Sequence, residues 1–209
     1  MNLLNEDNIV HIFLNKIGDI VIANLLFILC SIPLVTIGPS LTALYHCMLR
    51  TVKDNNNGTI KTFFRAFKEN FVQSLIVWLL IAAAGFVLIT NMLFLIGNNG
   101  AASQILLYGS CAILALLIIF TLYIFPVIAA FANTLRALSR NAFLLAFIHF
   151  PTTLAMAVIS LLPMYMTYQD IELMPLYACC WFFFGFGLTA FINSCLLYRF
   201  FRKLLPEEE

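Results

Sequence analysis

Phe71 to Ile96 reads FVQSLIVWLLIAAAGFVLITNMLFLI and Ile105 to Phe131 reads ILLYGSCAILALLIIFTLYIFPVIAAF, two runs without one charged side chain. At 1.5 Å per residue, each exceeds the roughly 20 residues a helix needs to cross a hydrocarbon core of about 30 Å. Neither run alternates polar and apolar residues at strand spacing, which excludes a β-barrel. A backbone placed in hydrocarbon must then pair with itself as helix. Three further stretches pass the same test, which gives spans at about 17–37, 71–96, 105–131, 142–166 and 173–198.

Composition agrees with this reading. Of 209 residues, 63% are hydrophobic and only 10% are Asp, Glu, Lys or Arg, with a mean hydropathy of +0.99. So few polar side chains cannot cover a soluble globule of this size. A net charge of +1 offers no basic face to neutralise phosphates, so nucleic acid is not expected as a partner. The sequence predicts an all-α, polytopic membrane helix bundle of about five transmembrane helices, one integral membrane domain over residues 1–209. The lipid bilayer is its first partner.

Lys and Arg in short connections resist translocation, so their distribution sets the orientation. Arg50, Lys53, Lys61, Arg65 and Lys68 follow the first span, Arg136 and Arg140 follow the third, and Arg199, Arg202 and Lys203 end the chain. With five full spans these ten share one side and leave Lys16 alone on the other. This predicts a multi-pass cell-membrane protein with its N-terminus outside and its C-terminus in the cytoplasm. Glu6 and Asp7, with no small-residue cleavage site after the first apolar run, argue against a cleaved signal peptide. Met1 to Asn15 reads as a short amphipathic surface segment.

The long connection after the first span carries two short cytoplasmic amphipathic helices. Gly38-Pro39 is read as the break and Ser40 as the N-cap of a helix over about 40–52, able to bury against the bundle or the interface. An open turn, Asp54 to Gly58, follows. The helix over 59–70 sets Phe63, Phe64 and Phe67 towards the acyl boundary, while Lys61, Arg65 and Lys68 face anionic headgroups.

Intramembrane polar residues are the candidate site residues, because the spans hold almost no charge. Asp19 lies three residues from Lys16 on one helical face and reads as a structural or interfacial pair, against an ion contact. Asn24 is a second polar group in the first span. His149 falls about 12 Å inside the fourth span, and Asn133 and Asn193 fall at a depth where they could join it in a polar layer. Such groups serve more often as interhelical glue than as a transport path. The six cysteines lack metal-ligand spacing, and Cys111 with Cys179 or Cys180 is the one disulfide worth testing. Gly185 to Thr189 offers a small-residue packing face. No hydrolase, metalloprotease, nucleotide or dinucleotide motif occurs, so neither catalytic residues nor cofactors are expected.

The order Gly18-Asp19, Asn24-Leu25-Leu26-Phe27 and Cys30-Ser31-Ile32-Pro33-Leu34-Val35-Thr36-Ile37-Gly38-Pro39-Ser40-Leu41-Thr42-Ala43-Leu44-Tyr45 resembles the opening signature of the YesL-like family of bacterial membrane proteins. Phe63 to Phe71 (FFRAFKENF), Phe125-Pro126, Phe131, Asn133-Thr134, Asn141-Ala142, Gly187, Ala190, Asn193 and Ser194 continue the resemblance. At 130–133 the chain reads Ala-Phe-Ala-Asn, where similar proteins often carry a charged stretch. The resemblance implies a membrane protein of unknown function from Gram-positive bacteria, commonly encoded beside carbohydrate ABC-transporter genes, with no established catalytic residue.

Two expectations follow. The first is a non-enzymatic accessory or regulatory membrane protein associated with carbohydrate ABC-transporter uptake, with a transporter subunit or a second copy of itself as partner. The alternative is a small transporter or channel with a path through His149 and Asn193.

Overall fold

A computed structural model describes residues 9–53, 58–97 and 100–201, and of residues 9–12 the backbone alone. Most of the expected N-terminal surface segment, most of the Asp54 to Gly58 turn, and Arg202 and Lys203 lie outside the described residues. All regular structure among the described residues is helical: α1 (Ile9–Ser31), α2 (Ile37–Val52), α3 (Thr59–Glu69), α4 (Phe71–Leu95), α5 (Ala101–Ala130), α6 (Leu135–Ile148), α7 (Phe150–Gln169), α8 (Met174–Cys180) and α9 (Phe186–Phe201). A 3-10 turn, Leu34–Thr36, joins α1 to α2, and a π turn, Trp181–Gly185, joins α8 to α9. Five helical stretches are long and apolar enough to cross a membrane: Phe13–Ser31, α4, α5, α7 and Ile171–Phe201. This is the architecture of a multi-pass membrane protein.

The first break differs from the expected one. α1 ends at Ser31, because Pro33 forces the residue before it out of helical conformation. Gly38-Pro39 instead sits in the first turn of α2, where a proline's missing N–H costs nothing. Ser40 is not the N-cap. Thr36 holds that position, and the Ser40 hydroxyl donates to its carbonyl at 2.8 Å.

α1 and α2 form an antiparallel hairpin, and α2 is no interfacial helix. It packs against α1, α3, α4, α5 and α9, with Ala43, Leu44, Cys47 and Met48 fully buried. Apolar residues surround most of its circumference, so no face is left for headgroups. The hairpin returns the chain to where it began: Asp19 of α1 accepts a hydrogen bond from the Thr59 hydroxyl at the start of α3. The expected arrangement put Lys16 and the basic connection after residue 52 on opposite sides. This contact places Asp19, three residues after Lys16, beside the first residue of α3.

α3 keeps Lys61, Arg65 and Lys68 exposed, as its pattern requires. Phe63, expected in lipid, is fully buried and stacks on Phe67 at 6.4 Å, because α3 lies along α2 as well as α1. Phe64 is exposed and Phe67 half-buried. The fourth span also changes. A break at His149 divides 142–166 between α6 and α7, and Pro151 opens α7.

α2 and α4 cross backbone to backbone. A Cβ on Gly38 would stand 2.5 Å from Trp78 Cβ and 2.6 Å from the Ser74 carbonyl, whereas one on Gly18 would meet nothing within 4 Å. Gly38→Ala is therefore expected to destabilise the fold by about 2 kcal/mol or more, since the obstacle includes rigid backbone. Gly18→Ala should leave it unchanged or raise it by up to about 1 kcal/mol through helix propensity. Denaturant unfolding of both variants in one mixed micelle checks the pair.

Candidate functional site

The π turn frees backbone groups in the middle of the last membrane helix, and one side chain receives them. Asn24, fully buried, donates from Nδ2 to the carbonyls of Trp181 at 3.1 Å and Phe182 at 2.6 Å. Its Oδ1 accepts the Gly187 N–H at 2.8 Å. This approach requires glycine at 187, where a Cβ would lie 2.7 Å from the Ile20 carbonyl and 3.1 Å from Asn24 Cβ. Around this node Phe27 packs on Phe186 at 5.1 Å, Trp181 on Phe186 at 4.7 Å, and Trp181 Nε1 donates to Thr167 at 2.9 Å.

A second node lies on α9. Asn193 Nδ2 donates to the Tyr45 hydroxyl at 3.3 Å and the Ser160 hydroxyl at 3.0 Å, joining α9 to α2 and α7. Asn193 Oδ1 is buried without a partner among the described residues. Two hydroxyl pairs fasten the remaining helices: Thr42 with Ser74 at 2.7 Å, and Tyr123 with Thr153 at 2.9 Å. Between α2, α5, α7, the π turn and α9 lies a recess of about 280 Å³, walled by Tyr45, Ile118, Ser160, Met164, Trp181 and Phe186 among others.

His46, which no sequence signal singled out, is a half-buried titratable group within this framework. Its Nδ1–H donates to the Ala129 carbonyl at 2.9 Å, and Nε2 is buried without a partner among the described residues.

The other expected site residues disperse. Asn133 lies in the exposed linker between α5 and α6, where its Oδ1 accepts the Thr134 N–H at 2.8 Å and its carbonyl accepts from Gln73 at 3.3 Å. His149 stands at the break before α7 and stacks on Phe200 at 3.8 Å. Ser160, the α7 partner of Asn193, comes eleven residues later, about 16 Å along a helix. His149 and Asn193 therefore share no layer, because the fourth span begins at residue 150. All six cysteines are free thiols. Arg65 meets Glu69 at 3.7 Å on an exposed face, a pair of little energetic weight.

A family described as "Protein of unknown function, DUF624" matches residues 20–92, the stretch from the middle of α1 through most of α4. No curated protein and no solved structure matches the chain.

Asn24 makes three hydrogen bonds, and replacing it takes a partner from two carbonyls of the π turn and from the Gly187 N–H at the start of α9. Intramembrane bonds average about 0.6 kcal/mol each, while a buried group left unpaired costs about 1–3 kcal/mol. Asn24→Leu is expected to cost about 3 kcal/mol of unfolding free energy in micelles, against less than about 0.5 kcal/mol for Asn133→Ala on the exposed linker. Equal losses at the two positions would remove the π turn from its structural role.

Proposed function

We propose that the chain is a non-enzymatic accessory or regulatory protein of the bacterial cytoplasmic membrane, of the YesL-like type, serving carbohydrate ABC-transporter uptake. The observation that supports this most is how the polar groups of the bundle are used. Asn24, Asn193, Thr42, Ser74, Tyr123 and Thr153 all bond helix to helix, and none is charged. Such a framework suits a protein that holds a shape for a partner rather than one that turns over a substrate. The family match over residues 20–92 takes in Asn24 to Tyr45 and Phe63 to Phe71, two of the stretches that carry the resemblance. The transporter alternative loses its support with the separation of His149 from Asn193. Purification from native-level expression in gentle detergent should recover a carbohydrate ABC-transporter subunit. A lone monomer, with or without a sugar supply in the medium, would oppose this reading.

We infer further that both termini face the cytoplasm and that α1 and α2 enter and leave the membrane from that face. The Asp19 to Thr59 contact supports it, since the early part of α1 then stands beside the basic connection. With that topology Lys16 joins the other ten Lys and Arg residues, and the inside-positive rule has no exception. The hairpin turn is built for hydrocarbon. Ile32 and Leu34 are 71% and 75% exposed, and the turn's carbonyls are met by side chains: Thr36 Oγ1 donates to Cys30 and Pro33, Trp78 Nε1 to Leu34 at 2.9 Å, and Ser40 to Thr36. In a cysteine-free background, Asn15→Cys and Lys53→Cys should react with a membrane-impermeant thiol reagent only in inside-out vesicles, and Ala101→Cys only in right-side-out cells. Labelling of Asn15→Cys from outside, with Lys53→Cys labelled from inside, would mean that α1 crosses the membrane.

A further inference from the structure

We propose that the recess between α2, α5, α7 and α9 binds a neutral, membrane-dissolved molecule bearing a ring carbonyl, the chemistry of an isoprenoid quinone. This goes beyond the accessory role and does not depend on it.

The recess has apolar walls with two polar handles. Because the Asn193 amide donates to both the Tyr45 and the Ser160 hydroxyl, each hydroxyl keeps its own hydrogen with no acceptor among the described residues. The other hydroxyls on the wall are occupied: Thr121 donates to the Leu117 carbonyl at 2.7 Å and Thr189 to that of Gly185 at 2.9 Å. Two neighbouring free donors select a ligand that accepts hydrogen bonds. Among the described residues no charged side chain and no thiol lines the recess, so an ionised ligand meets no counter-charge from them.

Depth narrows the class. Ser160 lies ten residues into α7, about 15 Å of helix, or half of a hydrocarbon core of about 30 Å. The ester carbonyls of a bilayer phospholipid lie at the interface, so such a lipid could bring only methylenes to the two hydroxyls. A molecule dissolved wholly in hydrocarbon can bring a carbonyl to that depth. Tyr45, Trp181 and Phe186 add aromatic surface for a flat ring, and about 280 Å³ accommodates a ring with a few carbons rather than a whole lipid. Trp181 also opens the π turn held by Asn24, so an occupant touches the joint between α1 and α9.

The chain's two tryptophans make the test direct. In nanodiscs of quinone-free lipid, a Trp78→Phe variant reports from Trp181 in the recess, and a Trp181→Phe variant reports from Trp78 outside it. Titration with a short-tailed menaquinone should quench Trp181 saturably, while Trp78 is quenched only in proportion to quinone in the bilayer. Tyr45→Phe with Ser160→Ala should weaken the saturable component about ten-fold, and Thr121→Phe, which fills the recess and leaves both handles, should abolish it. Each variant is compared at native helicity and elution volume. Proportional quenching at both tryptophans overturns the proposal, as does saturation that survives both the handle and the filling variants. Saturable quenching by a bromoacyl phospholipid that menaquinone does not displace would assign the recess to a bilayer chain and equally overturn it.

Discussion

A helix broken inside hydrocarbon has no water to receive the backbone groups it frees, so each break must be closed by protein. On the topology proposed above, the turn after α1 and the π turn before α9 impose that constraint, and each is closed by side chains from elsewhere. Trp78 of α4 reaches the Leu34 carbonyl, and Asn24 of α1 reaches Trp181, Phe182 and Gly187. The two breaks are therefore joints. One ties α4 to the hairpin, and the other ties the end of the chain to its beginning.

The packing follows from these joints. At both joints the helices nearly touch, and glycine stands at each approach, at 38 and 187. Drawn in this way, the helices enclose α2, and the buried core gathers along 20–27, 43–49, 123–129 and 190–201. α4 beyond Trp78 and the first half of α5 stay largely exposed, with apolar side chains such as Phe86, Val87, Ile105 and Leu106 turned outward. Half of the molecule is thus a closed packing unit, and the other half presents an apolar surface suited to lipid or a partner's helices. That division is compatible with an accessory role, in which the packed half fixes the geometry of the contact half.

The spans were legible because about twenty apolar residues without charge have few other uses. Their breaks were harder to read. Gly38-Pro39 carries a stronger local breaking signal than Pro33, yet a proline in a first turn breaks nothing, while Pro33 acts on the residue before it. Phe63 belongs by periodicity to a lipid-facing stripe, but α3 lies along α2, and a contact between two short helices leaves no trace in the pattern of either. His149 reads as mid-span because the apolar run continues through it, although Pro151 two residues later marks a helix start. Asn24 was visible as a polar residue in a span. Its partners were not, since a π turn 157 residues away has no sequence period of its own.

The joint between α1 and α9 is most directly read at the Gly187 amide, whose hydrogen points at Asn24 Oδ1. Hydrogen exchange of that amide, followed by NMR in micelles for the native chain and for a chain with alanine at 24, isolates this one bond. The account predicts strong protection in the native chain, loss of protection at Gly187 in the variant, and little change at amides of α4 and α5. Equal Gly187 protection in both chains would show that the π turn stands without Asn24, and would contradict the dependence of the fold on that contact.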